Sequence, residues 1–218
     1  MARYSLTNAS RLIDLTHPLR SGGLPYPGDP APEFREAATL DVDGYRVTEI
    51  QFSSHQGTHV DAPSHFLPAG IGVDQLSLEV LIGPATVLDF PAEMNATIGP
   101  AWLAQHEKRI PPGARLLFRT GWDVHYGREA YWHDYPGLSP EGARWLVERD
   151  VALLGFDTPS PSRDTQEVHE ILLGAARPVV LVESLAHLGE LPDRFTLIVS
   201  PLRLSGLDGA PARVVAVV

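Results

Sequence analysis

Residues 139–157 constrain the fold most. Ser139, Pro140 and Glu141 open a helix, with serine at the N-cap, proline at N1 and an acid in the first turn, where it complements the helix dipole. Ala143, Leu146 and Val147 follow at helical spacing as an inner face, and residues 150–157 (DVALLGFD) then run as a buried strand. A helix leading straight into a buried strand is the building unit of α/β proteins. The switch recurs on either side. Pro100 opens an amphipathic helix (AWLAQHEKR) ahead of a buried strand at 114–119 (ARLLFR). Asp164 and Glu167 suit the N-cap and N3 of a helix through Val168, Ile171 and Leu172, ahead of a β-branched run at 178–184 (PVVLVES). Further strands are expected at 12–15, 85–90, 195–199 and 213–218, and a short helix or turn at 74–81 packed through Leu76, Leu78 and Leu81. The predicted class is α/β, with parallel and antiparallel pairings mixed.

Composition narrows the function. A chain of 218 residues is expected to form one domain, 1–218. Its 20 prolines and 19 glycines lie scattered between periodic segments, which makes loops and not a low-complexity tract. With no cysteine, disulfides, thiolate ligands and a cysteine nucleophile are excluded. Seventeen basic and twenty-seven acidic residues give a net charge of −10, with no Lys/Arg cluster, so nucleic acid is not an expected partner. The first fifteen residues carry no apolar signal core, and nowhere do eighteen apolar residues run together. The expectation is a soluble, cytoplasmic protein without membrane partners.

The chemistry concentrates in residues 55–66, HQGTHVDAPSHF. His55, His59, Asp61 and His65 fall within eleven residues. A single histidine would read as an ordinary hydrogen-bonded residue. Three imidazoles and a carboxylate held by Gly57, Thr58 and Pro63 read as a site for zinc or manganese. Gly57 and Pro63 argue against a helix. Residues 45–52 (YRVTEIQF) alternate as a strand, which runs into a loop bent at Gly57. If the chain stays extended there, His59 and Asp61 project to one side.

This stretch resembles the signature of the cyclase-type metal hydrolases, the family that includes the bacterial kynurenine formamidases (arylformamidases). The family pattern H-x-G-T-H-x-D-x-P-x-H is filled at His55, Gly57, Thr58, His59, Asp61, Pro63 and His65. The resemblance implies a swivelling β/β/α (cyclase-like) single domain with a mixed sheet. It also implies a homodimer or larger homo-oligomer, with the N-terminal substrate loop near the subunit contact. That loop is matched by PYPGD at 25–29, by itself only a surface turn; Tyr26 stands where kynurenine formamidases carry tryptophan. A helix beginning H-x-x-L-L after a D-T-P-S loop matches at His169, and a stretch with glutamate before S-L matches at Glu183. On the family pattern, two zinc ions per subunit (or manganese) are held, one by His55, His59, Asp61 and Glu183, the other by Asp61, His169 and Glu183. His65 is left as general acid and base, a task its ordinary pKa near 6.5 suits.

The activity implied is hydrolysis of an aryl amide, N-formyl-L-kynurenine to L-kynurenine and formate in tryptophan degradation. Two rivals remain. One is a family hydrolase of a cyclic amide or lactone such as isatin, which Tyr26 favours. The other is a metal- or ligand-binding protein without catalysis. The turn at 119–122 (RTGW) falls near the family's active site and receives no chemical role. Residues 126–135, with Trp132 and His133, read as a solvated or subunit-facing loop. His106 is read as exposed on its helix, and His187 carries no role.

Overall fold

The computed structural model describes residues 11–90 and 94–218. Its strands are β1 (Leu12–Asp14), β2 (Glu33–Ala38), β3 (Val47–Gln51), β4 (His59–Asp61), β5 (Ile82–Asp89), β6 (Thr97–Ile98), β7 (Arg115–Arg119), β8 (Gly137–Leu138), β9 (Leu153–Phe156), β10 (Val180–Glu183), β11 (Arg194–Pro201) and β12 (Gly209–Val217). Its helices are α1 (Leu40–Asp43), α2 (Leu78–Leu81), α3 (Pro100–Gln105), α4 (Pro140–Glu148) and α5 (Thr165–Leu173).

Seven strands close into a barrel-like ring in the order β12, β11, β5, β7, β9, β10, β4 and back to β12, with β1 added beside β4 along β12. Pairs β5–β7, β7–β9 and β9–β10 are parallel; the other ring pairs are antiparallel. Parallel neighbours need crossovers, and α3, α4 and α5 supply them. The mixed α/β class read from the helix-to-strand switches is the one observed.

Period-two alternation divides the apolar residues between two cores. Leu117, Leu153 and Val182 face the inside of the ring with Val60, Val87 and Val214. Their neighbours Leu116, Phe118, Leu154, Phe156 and Leu181 face the helices, where they meet Leu103, Leu146 and Leu172. Both faces of these strands are therefore buried, which is why they read as continuous apolar runs. The inside is tight at Gly155, where a Cβ would lie 2.3 Å from Leu117 Cδ2 and 2.8 Å from Leu185 Cδ1.

Three local expectations are revised. The Ser139 hydroxyl does cap α4, accepting from the Gly142 N–H at 3.0 Å. The Asp164 side chain makes no such bond on α5, and Glu167 instead pairs with Arg144 at 2.7 Å. Leu81 is buried as a packing residue should be, but Leu78 is 66% exposed, because the single turn of α2 can offer only one face to the core. His106 is half-buried, its ring 4.2 Å from that of Trp102. The hairpin β2–β3 stands apart: every residue of β3 is exposed, Ile50 by 55%. No helix among the described residues is long and apolar enough to cross a membrane.

Candidate metal centre

The two strands that carry the site adjoin in the ring. On β4, Val60 points into the interior core, so His59 and Asp61 point to the helix-covered face. On β10, Val182 points inward and Leu181 and Glu183 outward. Antiparallel register sets Glu183 opposite His59 and Leu181 opposite Asp61. Helix α5 lies on the same face through Val168, Leu172 and Leu173, and lowers His169 onto the two carboxylates. Ser184 then takes a left-handed φ of 54°, so the chain turns away directly after Glu183.

Gly57, with φ 65°, makes the bend that precedes β4, and a Cβ there would fall 2.5 Å from Leu19 Cδ2. The bend is pinned by the Thr58 hydroxyl, which donates to the Ser184 carbonyl at 2.6 Å and accepts from the His17 N–H. The chain before it folds His55 back over Asp61, their Nδ1 and Oδ1 atoms 2.8 Å apart. His65, at the end of a short 3-10 turn over Pro63–His65, stacks on His55 with ring centres 3.9 Å apart. All five residues read as ligands, with His65, thus converge.

The donor set fits divalent cations. His59 Nδ1–H donates to the Gly57 carbonyl at 2.8 Å and His169 Nδ1–H to the Thr165 carbonyl at 2.6 Å. Each Nε2 then faces carboxylate oxygens: His59 at 3.2 Å from Asp61 and 3.4 Å from Glu183, His169 at 3.3 Å and 3.2 Å from the same two residues. Imidazole lone pairs aimed at carboxylates repel unless a proton or a cation stands between them. Asp61 Oδ2 is buried without a hydrogen-bond partner. Asp61 and Glu183 are 1% and 5% exposed, and burying two carboxylates side by side calls for positive charge.

Titration in the protein alone follows the same geometry. Burial opposes charge on His169, but the facing Asp61 and Glu183 carboxylates win and raise it to about 10. Burial also opposes charge on His55, and Asp208 and Asp61 raise it to about 10. Burial pushes Asp61 up, yet the facing His169, His55 and His59 imidazoles hold it well below the usual carboxylate range. Burial and the neighbouring Asp61 charge raise Glu183. Burial lowers His65 to about 4, against the pull of Asp61 and below the ordinary value near 6.5 expected from sequence, so at neutral pH its imidazole is uncharged.

The site opens into a pocket of about 470 Å³ whose apolar walls include Tyr26, Phe66 and Trp132. Tyr26 meets Trp132 edge to face, ring centres 5.6 Å apart. The loop at 126–135 is thus not simply solvated. Tyr131 is fully buried and Trp132 lines the pocket; His133 is exposed. Sequence reasoning also missed Asp208, 2.9 Å from His55 Nε2. The RTGW turn is held from below: Asp157 accepts from the Thr120 and Gly121 N–H groups and the Thr120 hydroxyl.

The model of the Cyclase family matches residues 13–163. The chain belongs to the cyclase family. Cyclase-family relatives include Cyclase-like protein 3 of Oryza sativa subsp. japonica, 34% identical over 231 residues covering 99% of this chain and 83% of that one. The kynurenine formamidase of Bordetella petrii is 30% identical over 209 residues, 94% of this chain and 97% of the relative. Among solved structures, isatin hydrolase A from Labrenzia aggregata, bound to benzyl benzoate, superposes with a TM-score of 0.84 at 31% identity, covering 96% of this chain and 94% of that one. A potential metal-dependent hydrolase with cyclase activity gives 0.81 at 25% identity, covering 96% and 98%. These likenesses place this cyclase-family chain among the metal-dependent hydrolases.

Proposed function

We propose that the chain is a two-metal amide hydrolase that cleaves N-formyl-L-kynurenine to L-kynurenine and formate, an arylformamidase of tryptophan degradation. The observation that carries the metal reading is the pair of buried carboxylates, Asp61 and Glu183, each within 3.4 Å of histidine nitrogens on both sides. One zinc ion (or manganese) would be held by His55, His59, Asp61 and Glu183, and a second by Asp61, His169 and Glu183. Bound there, divalent ions supply Lewis-acid polarisation of a carbonyl and a water whose pKa falls to about 7.

The chain's own groups do the rest. His65, uncharged and facing the pocket, takes a proton from water and returns it to the leaving nitrogen, so that one water and one amide give one amine and one formic acid. An aniline is a weak base and leaves more readily than an alkylamine. Tyr26 and Trp132 offer perpendicular aromatic faces to the aryl ring, leaving the small formyl end toward the carboxylates. A second copy of the chain is the partner proposed for the exposed hairpin β2–β3, since a two-stranded hairpin standing alone is marginal in water.

The likeness to isatin hydrolase A, together with Tyr26 in place of tryptophan, favours one rival, ring opening of a cyclic aryl amide by the same groups. Metal-stripped protein given back zinc or manganese, then offered N-formyl-L-kynurenine and isatin, separates them. Metal-restored turnover of the formamide supports the arylformamidase; preference for isatin replaces it. Bound metal with no turnover of a panel of aryl amides leaves a binding protein.

A further inference from the structure

Asp208 lies 153 residues beyond His55 in sequence, yet its Oδ2 is 2.9 Å from His55 Nε2, on the opposite edge of the ring from Asp61 Oδ1, at 2.8 Å from Nδ1. Carboxylates only accept, so each side of the ring can hold an N–H in place, and a neutral imidazole that gives one nitrogen to a cation keeps its single N–H on the other. A divalent cation takes a nitrogen that carries no proton. Which nitrogen it takes is decided by what holds the proton on the other.

We propose that Asp208 is a positioning residue: it retains the Nε2 proton of His55 and so presents Nδ1, beside Asp61, as the nitrogen that takes the metal. This rests on the metal-hydrolase reading above. The surroundings are built for that role. Gly209, the next residue, lets the imidazole lie against the start of β12, since a Cβ there would fall 2.7 Å from His55 Cε1. The Asp208 carbonyl accepts from the Ala62 N–H at 2.8 Å, which ties this backbone to the end of β4. With 40% of its side chain exposed, against 1% for Asp61, Asp208 is an outer partner reached by water, while Asp61 is an enclosed ligand. The same Oδ2 lies 3.6 Å from His65 Nδ1, so one carboxylate oxygen faces the edges of both stacked rings. A carboxylate behind a metal-bound imidazole fixes its tautomer and strengthens it as a ligand, and losing one typically weakens metal binding by about 10- to 100-fold.

The test is zinc binding by competition with a chelator in wild type, Asp208→Asn and Asp208→Ala, with zinc counted per chain. We expect wild type to bind most tightly, then Asn, which can still accept from Nε2–H, then Ala, weakest by about 10- to 100-fold. Zinc per chain at saturation and the melting temperature of the metal-free protein stay unchanged, and the slowly exchanging His55 Nε2 proton in the NMR spectrum of the zinc-loaded protein is lost in Asp208→Ala. Equal affinities across the Asp208 series overturn the inference, as does loss of one zinc per chain, which would make Asp208 itself a ligand. A wild-type chain that binds no zinc or manganese overturns both this inference and the functional reading; any other failure overturns this inference alone.

Discussion

Asp157, just past the end of β9, is wholly buried and accepts three hydrogen bonds, at 2.9 Å from Thr120 N–H, at 2.8 Å from Gly121 N–H, and from the Thr120 hydroxyl. Burial outweighs those bonds and raises its carboxyl from 3.8 to about 7. Because the folded pKa lies above the unfolded one, the native chain binds the extra proton between about pH 4 and pH 7. Stability is therefore lost as pH rises through that window, and the loss is complete above the folded value. Raising the carboxyl from 3.8 to about 7 corresponds to about 4 kcal/mol. Asp157→Asn removes the titration and keeps the contacts. The amide oxygen can accept both N–H groups and the amide nitrogen can donate to Thr120 Oγ1, which already accepts from Trp122 N–H at 3.2 Å. Urea unfolding at a series of pH values from 4.5 to 8 measures the difference between variant and wild type, in which other titrating groups cancel. The variant should gain on wild type as pH rises, by up to about 4 kcal/mol at pH 8. Asp157→Ala also removes the titration, so it follows the same pH trend against wild type; because it strands the buried Thr120 N–H, it should lie about 1–3 kcal/mol below Asp157→Asn at every pH. Parallel stability curves for wild type and Asp157→Asn would show that Asp157 does not titrate in this window.

Three further outcomes are expected. His65→Ala should retain metal and lose about 10²–10⁴-fold in kcat, the usual worth of a general acid–base; near-full kcat would remove His65 from the mechanism. Trp132→Ala should raise KM for an aryl amide by about 3- to 10-fold with kcat little changed, since an edge-to-face aromatic pair contributes about 0.5–1.5 kcal/mol; an unchanged KM would mean the substrate ring sits elsewhere. Gly155→Ala should destabilise the fold by about 1–3 kcal/mol, because its Cβ would press on Leu117 and Leu185 inside the ring; a neutral result by urea unfolding would mean the barrel interior has room to yield.

The parts of the fold legible in sequence were those governed by local periodicity. β7, β9 and β10 announced themselves because both of their faces are buried, and α4 because a serine cap and a first-turn proline mark its start. Ring closure was not legible. It depends on β4 pairing with both β10 and β12, and a three-residue strand of His59, Val60 and Asp61 carries no signal for either. Of the site, the cluster from His55 to His65 could be read because its members share one bend. His169 and Glu183 were reached through family resemblance, since a lone helical histidine and a strand-end glutamate do not point to each other. Asp208 was missed because the segment around it reads as an ordinary turn before a strand. Trp132 was missed because a polar, aromatic loop gives no indication of which ring turns toward a pocket.

Asp61 and Glu183, with His55, His59 and His169, are proposed to form a centre for two divalent ions. Equilibrium dialysis of metal-stripped chain against zinc, with metal counted per chain by mass spectrometry in wild type and in Asp61→Asn, decides whether they do. Two ions per wild-type chain, and loss of binding at both positions when the shared Asp61 is neutralised, are the predicted results. A wild-type chain that retains no zinc, or an Asp61→Asn chain that still holds two ions, would contradict such a centre.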